Sequence, residues 1–293
     1  MWTFGFGSNM NVGKVENKKG HKVLDHECGV VKGYKMCFNS PAMPKVEPAF
    51  ANSVVGTEED SIHGVAIKIS EEDMDKLDAQ EKSYDKVKVT VEGYSGRNIE
   101  DCSMYIKTKG NFLPVEKQNP SSRYLKLLID GAEEAGLDRA YIDRLKCTKT
   151  YVADDETIRR RQQLQAPTSL TAFSVEELFP TKAQSLGTKT EDGVKEGEFA
   201  YVAVLGYVIK MPRNKCYFQS HLGRDLTARS LRHFRGEPLD KDDDMGRPPY
   251  PNFKDLEKEV REYLYNWLDH YLDKGEIIGY VKEYLEQVNL QKD

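Results

Sequence analysis

The texture of the chain breaks near its middle, and that break limits what it can fold into. Arg159–Ser169 reads RRRQQLQAPTS, a basic block running into a polar stretch that contains a proline. Such a segment offers no alternating pattern for a strand and no apolar face for a packed helix. It reads as a helix end followed by a linker. The expected boundary lies near Ala166, giving one domain over residues 1–165 and another over 166–293. With 293 residues in all, each half is long enough for its own hydrophobic core.

The first half has an α+β texture. Trp2–Phe6 reads as a strand that runs into a Gly-Ser-Asn turn, and Gly64–Ile69 (GVAIKI) as a second. Lys86–Val91 (KVKVTV) alternates with period two, as a half-buried strand does, and Cys102–Lys107 follows suit. After Pro120 the spacing becomes helical, with Tyr124, Leu128, Gly131 and Ala135 on one face and Gly136 as the stop. The second half carries its own expected strand, Ala200–Lys210 (AYVAVLGYVIK). It also has an amphipathic helix through Val260, Leu264, Trp267 and Tyr271, stopped by Gly275. Glu237–Pro251 is acidic and proline-rich and reads as an exposed loop.

Composition narrows the function classes. The net charge of −5 gives no basic surface for non-specific nucleic-acid binding. No apolar run approaches the roughly 18–20 residues of a membrane span, and the opening MWTFGFGSN does not read as a signal peptide. Five cysteines, Cys28, Cys37, Cys102, Cys147 and Cys216, lack CxxC spacing, which argues against a disulfide framework or a zinc site. The expectation is a cytoplasmic protein with reduced thiols, no metal and no membrane or nucleic-acid partner.

One carboxylate stands out. Ser70 followed by Glu71, Glu72 and Asp73 reads as a helix N-cap with charges suited to the helix dipole. Along that helix Met74, Leu77 and Glu81 share the apolar face. A carboxyl drawn into apolar surroundings disfavours its charged form, which suits general acid/base work near neutral pH. The competing reading is that Glu81 sits past the helix end and turns to solvent. The Gly7-Ser8-Asn9 turn can aim successive backbone N–H groups at an anion, although an ordinary strand end has the same composition.

Together these segments resemble γ-glutamyl cyclotransferases. FGFGSNM at the start resembles that family's [FY]xYGSN[LM] signature. It is followed in order by PAFANSVVG with HGVAIKI, by LDAQEKSY over Leu77–Tyr84, and by PSSRYLKLLIDGAEEAGL over Pro120–Leu137. The resemblance implies a mixed β-barrel with helices. It implies Glu81 as the acid/base residue, and Phe6, Gly7, Ser8, Asn9 and Met10 as the loop holding the γ-glutamyl group. It also implies that Tyr84 and Tyr124 line the pocket. Phe6 replaces the family's usual tyrosine, and Lys82 its usual glycine.

The second half resembles, in blocks, the cytochrome b5-like domains of the membrane-associated progesterone receptor and neuferricin group. The blocks include Gly223-Arg224-Asp225 and Trp267. The implied architecture is a smaller α+β cytochrome b5-like domain. The segment before Gly223 is too short to carry a tyrosine over a haem face, so no cofactor is expected, with Tyr217 and His221 as the residues to watch.

The leading functional expectation is a lyase-type cyclotransferase releasing 5-oxoproline from a small γ-glutamyl substrate, as in glutathione metabolism, with a homodimer as a candidate assembly. Two other readings stand beside it: a haem- or small-ligand-binding protein on a retired enzyme scaffold, and a different reaction on a specialised metabolite in the same pocket.

Overall fold

Period-two alternation builds the first part of the structure. The computed structural model describes the chain apart from residues 165–168, 179–187, 191–192, 196–197, 217, 238–251 and 285–293. The chain divides into two units, Met1–Tyr151 and Val152–Asp293. Ala166, Tyr217 and nearly all of the expected loop at Glu237–Pro251 lie outside the described residues.

The first unit contains strands β1 (Trp2–Gly5), β2 (Asp25–Lys32), β3 (Tyr34–Met43), β4 (Glu47–Val55), β5 (Ser61–Lys68), β6 (Asp85–Gly93) and β7 (Asn98–Ile106). Its helices are α1 (Val12–Lys19), α2 (Glu71–Gln80), α3 (Ser122–Glu134) and α4 (Arg139–Lys146). Strands β1-β5-β2-β6-β7 close into a barrel, while β3 and β4 pair separately. Closure is a parallel contact between β1 and β7, with Thr3 opposite Ser103 and Phe4 opposite Met104.

Strand β5 shows why the pattern demands two layers. Ile62 and Ala66 join one apolar cluster with Phe4, Val89, Val91 and Met104. Val65 and Ile67 point the other way, into a second cluster with Leu77, Tyr124 and Leu128. The second cluster needs the apolar stripe of α3, whose Tyr124, Leu125, Leu128, Gly131 and Ala132 are buried. Each fully buried Val, Ile or Leu contributes about 1.5–3 kcal/mol, so helix and barrel stabilise each other.

The second unit has a sheet in which Phe199–Val204 pairs with Tyr207–Pro212, Tyr207–Pro212 with Glu276–Val281, and Glu276–Val281 in parallel with Thr171–Phe173. The single strand expected over Ala200–Lys210 is thus two strands. Leu205 at φ 52° and Gly206 at φ 76° form a two-residue turn, the left-handed pair that hairpins use. The Asp225 carboxylate locks this turn, accepting from the Gly206 amide at 3.2 Å and the Thr227 amide at 2.8 Å. Thr227 Oγ1 accepts from the Leu205 amide at 2.7 Å.

Helix α5 (Asp155–Gln162) carries the arginine block. Arg161 donates from Nε to Asp269 Oδ2 at 2.7 Å, and Arg160 pairs with Asp269 Oδ1 at 3.2 Å. Asp269 is fully buried on the Lys258–Leu272 helix. Two of the three arginines are therefore built into the second unit rather than solvated.

Candidate active site

Helix α2 delivers Glu81. Ser70 Oγ accepts from the Asp73 amide at 3.0 Å, capping the helix start. Met74 and Leu77 are buried on the face that sequence periodicity assigns. The last helical residue is Gln80, and Glu81 is the C-cap, its amide still donating to the Leu77 carbonyl at 2.9 Å. Glu81 does sit past the helix end, but it is half-buried and lines a cavity of about 310 Å³. The Tyr84 amide donates back to the Glu81 carbonyl at 2.9 Å, which brings Tyr84 onto the same wall. Lys82 is exposed.

Strand β1 delivers the Gly-Ser-Asn turn. After Gly5 the chain doubles back into a 3-10 turn over Ser8–Met10. A Cβ on Gly5 would lie 2.7 Å from the Asn9 carbonyl oxygen, so the close return of the loop requires glycine there. Phe6, Gly7, Ser8 and Asn9 line the cavity. Met10 does not share that position: its side chain is buried in the second apolar cluster and its amide donates to the Gly7 carbonyl at 3.1 Å. The amides at the first two positions of the turn, Ser8 and Asn9, are the ones such a turn leaves unbonded within itself.

Gly5→Ala is expected to force the turn away from β1. Overpacking of this kind costs about 1–3 kcal/mol. Thermal unfolding checks it, and an unchanged midpoint would mean that the turn yields without cost.

Helix α3 delivers Tyr124. Ser121 caps this helix, its Oγ accepting from the Tyr124 amide at 3.0 Å and donating to the Glu47 carboxylate. Arg123 Nε holds the other Glu47 oxygen at 2.6 Å. The Tyr124 hydroxyl accepts from the Ala51 amide at 3.3 Å, and burial pushes the phenol well above its usual range. A Cβ on Gly7 would stand 3.6 Å from that hydroxyl, which places Tyr124 against the turn.

Among the wall residues that escape sequence reasoning, two carry polar side chains with titratable groups, Tyr105 and His21. Tyr105, on β7, donates to Asp78, which Lys86 also holds at 2.8 Å. Burial, reinforced by the Asp78 bond, pushes the Tyr105 phenol far up. His21 is the other, and is only 2% exposed. Its sole local signal is Gly20, at φ 68°, which ends α1 and turns the chain inward.

In the second unit His221 is buried and shares a hydrogen bond between Nδ1 and the Tyr271 hydroxyl, at 2.5 Å. Its ring packs against Phe218 and Trp267. Burial is the largest cause of its fall to about 3 from the usual imidazole value, with neighbouring positive charge acting the same way. Tyr217 lies outside the described residues. Among the described residues, no three His, Cys, Asp or Glu side chains converge as metal ligands, and no helix is long and apolar enough to cross a membrane.

Residues 61–145 match the model of the AIG2-like family. The chain is 24% identical over 173 residues to a protein of Aspergillus fumigatus named gamma-glutamyl cyclotransferase gliK, a match covering 52% of this chain. The match spans 63% of the length of that relative. Similar solved structures include one titled gamma-glutamyl cyclotransferase, with a TM-score of 0.44, 20% identity, and coverage of 56% of this chain and 98% of that one. Another is an uncharacterized protein, loc79017, from Homo sapiens, with a TM-score of 0.43, 22% identity, and coverage of 55% and 98%. The family-model match falls within the first unit, between β5 and α4.

Proposed function

We propose that the first unit is a cyclotransferase that releases 5-oxoproline from a small γ-glutamyl compound. The observation that carries this reading is convergence. Glu81, the Gly7–Asn9 turn, Tyr84 and Tyr124 come from segments far apart in sequence, yet all border one cavity. At about 310 Å³ it suits a ligand the size of an amino acid or dipeptide. AIG2-like kinship and the name of the Aspergillus relative support the same chemistry.

The reaction asks little of the protein. The α-amine of the substrate is the nucleophile. Its nitrogen forms a bond to the γ-carbonyl carbon, the γ carbon–nitrogen bond breaks, and a proton from the ammonium ends on the departing amine. The Glu81 carboxylate takes that proton and returns it. In this reading the cavity folds the substrate so that the amine faces the carbonyl, and the Ser8 and Asn9 amides supply the donors for the developing negative charge. Phe6 contributes shape alone, having no hydroxyl.

The cytochrome b5-like resemblance of the second unit rests on its sequence blocks, and we assign that unit no haem chemistry because His221 is already engaged with Tyr271. The test is to incubate the full chain with a panel of γ-glutamyl amino acids, amines and peptides and to quantify 5-oxoproline by mass spectrometry. Release matched one-to-one by free amine is expected from at least one member. Amine release with glutamate in place of 5-oxoproline would identify a hydrolase instead.

A further inference from the structure

Tyr124 reaches the cavity from helix α3, but strand β4, which lies outside the barrel, grips it at both ends. At its tip, the Tyr124 hydroxyl accepts from the Ala51 amide at 3.3 Å. At its base, the Tyr124 amide donates to Ser121 Oγ at 3.0 Å, and the Ser121 hydroxyl donates in turn to Glu47. Glu47 and Ala51 both belong to β4. Between these two anchors the ring packs against Phe50 at 4.8 Å and edge-on against Phe38 at 6.5 Å.

The lower anchor is an unusual one. Glu47 is only 4% exposed, and its other oxygen accepts from Arg123 Nε at 2.6 Å. One buried carboxylate thus takes two donors from the start of α3, on either side of the helix's first residue. A carboxylate and a guanidinium withdrawn from water pay for desolvation, and matched apolar groups in their place are often as stable. Stability alone therefore accounts poorly for the pair. Direction accounts for it better. Apolar packing is non-directional, so the stripe of α3 holds the helix on the barrel without setting the height of any one residue. Two charge-assisted hydrogen bonds to a strand do set it.

We propose that Glu47 is a positioning residue of the candidate active site. Through Ser121 and Arg123 it fixes the start of α3, and so holds the Tyr124 hydroxyl against the Gly7 turn. A Cβ on Gly7 would stand 3.6 Å from that hydroxyl, so the phenol braces the loop that meets the substrate. Glu47 itself does not border the cavity, and its effect passes through Tyr124. The inference rests on the cyclotransferase reading and extends it to a residue behind the wall.

Kinetics on the panel member that turns over best test this. Glu47→Gln is expected to raise KM about tenfold with kcat within about twofold, since a displaced positioning group can cost up to about 10²-fold while Glu81 stays in place. Tyr124→Phe, which removes the brace, is expected to raise KM to a similar extent. In the Tyr124→Phe background, Glu47→Gln should then change KM by less than about twofold, because the group it places is gone. A general loss of structure would act equally in both backgrounds. Should Glu47→Gln fail to fold, Ser121→Ala takes its place: it cuts the link to the Tyr124 amide and leaves the Glu47–Arg123 pair standing. Ser121→Thr keeps the hydroxyl and is expected to stay near wild type. Unchanged KM in Glu47→Gln overturns the proposal, as does unchanged KM in Tyr124→Phe. So does the same KM factor with and without the Tyr124 hydroxyl, or, in the substitute test, equal losses in Ser121→Ala and Ser121→Thr. In each case wild-type 5-oxoproline release leaves the reaction standing. A wild-type chain that releases no 5-oxoproline from any panel member removes both.

Discussion

Glu81→Gln is expected to lower 5-oxoproline release by ~10²-fold or more, the usual weight of a general acid/base. The amide fills the same volume at the C-cap of α2 and leaves the amide-to-Leu77 hydrogen bond untouched, because that bond belongs to the backbone. Folding and substrate affinity should therefore persist, and the loss should fall on kcat. What disappears is the capacity to hold a proton between its removal from the ammonium and its delivery to the departing nitrogen. Steady-state kinetics with calorimetric binding measures both quantities. Near-wild-type turnover would remove Glu81 from the mechanism. Equal loss of binding would make it a structural residue of the wall.

The second large effect lies far from that chemistry in sequence. Asp269→Ala should destabilise the second unit by about 3–5 kcal/mol, the cost of leaving a buried charge without its partner. Arg161 is the residue stranded. It is largely buried, holds Asp269 through both Nε and Nη2, and keeps the half-exposed Glu262 at 2.7 Å, Asn266 at 2.9 Å and the Tyr265 ring when the aspartate is gone. Arg160 retains Asp273 at 2.8 Å and suffers less. Chemical denaturation monitored at Trp267 reads the change. Replacing the pair together, as Asp269→Leu with Arg161→Met, should recover much of the loss, since two matched apolar groups leave no orphaned charge. An Asp269→Ala midpoint equal to wild type would show that α5 contributes little to this unit.

Much of the site is legible in the residues because its parts are local motifs. The Ser70 cap, the Glu81 offset from Leu77 and the Pro120–Tyr124 helix start each obey rules spanning a few positions, and each stands where those rules place it. What is not legible depends on tertiary closure. His21 and Tyr105 become wall residues only when α1 and β7 are brought to the same cavity. Strands β2 and β3 have no counterpart in the sequence expectation. In β2 the only buried positions are Gly29 and Val31, and β3 contains Pro41, so neither presents a clean alternating stripe. The hairpin at Leu205-Gly206 hides inside a continuous apolar run, and a leucine at φ 52° is not a turn signal that composition can supply. Met10 shows the converse. It belongs to the motif by spacing, but its side chain is spent on the core.

The closing seam of the barrel also governs how the protein must be made. Strand β1 lies between β5 and β7, so during synthesis it waits for partners that emerge only at Ser61 and then at Asn98. Until then an apolar segment with open edges is exposed in the nascent chain, and the Gly5–Asn9 turn has nothing to hold it. Late pairing of this kind slows folding and invites intermolecular capture. Translation pausing before Ile106, or any nascent fragment that ends short of it, should therefore yield chains that hold chaperones and cannot form the cavity. The Gly5–Asn9 wall of the cavity is thus held only after the seam closes, and the Tyr124 wall follows with α3.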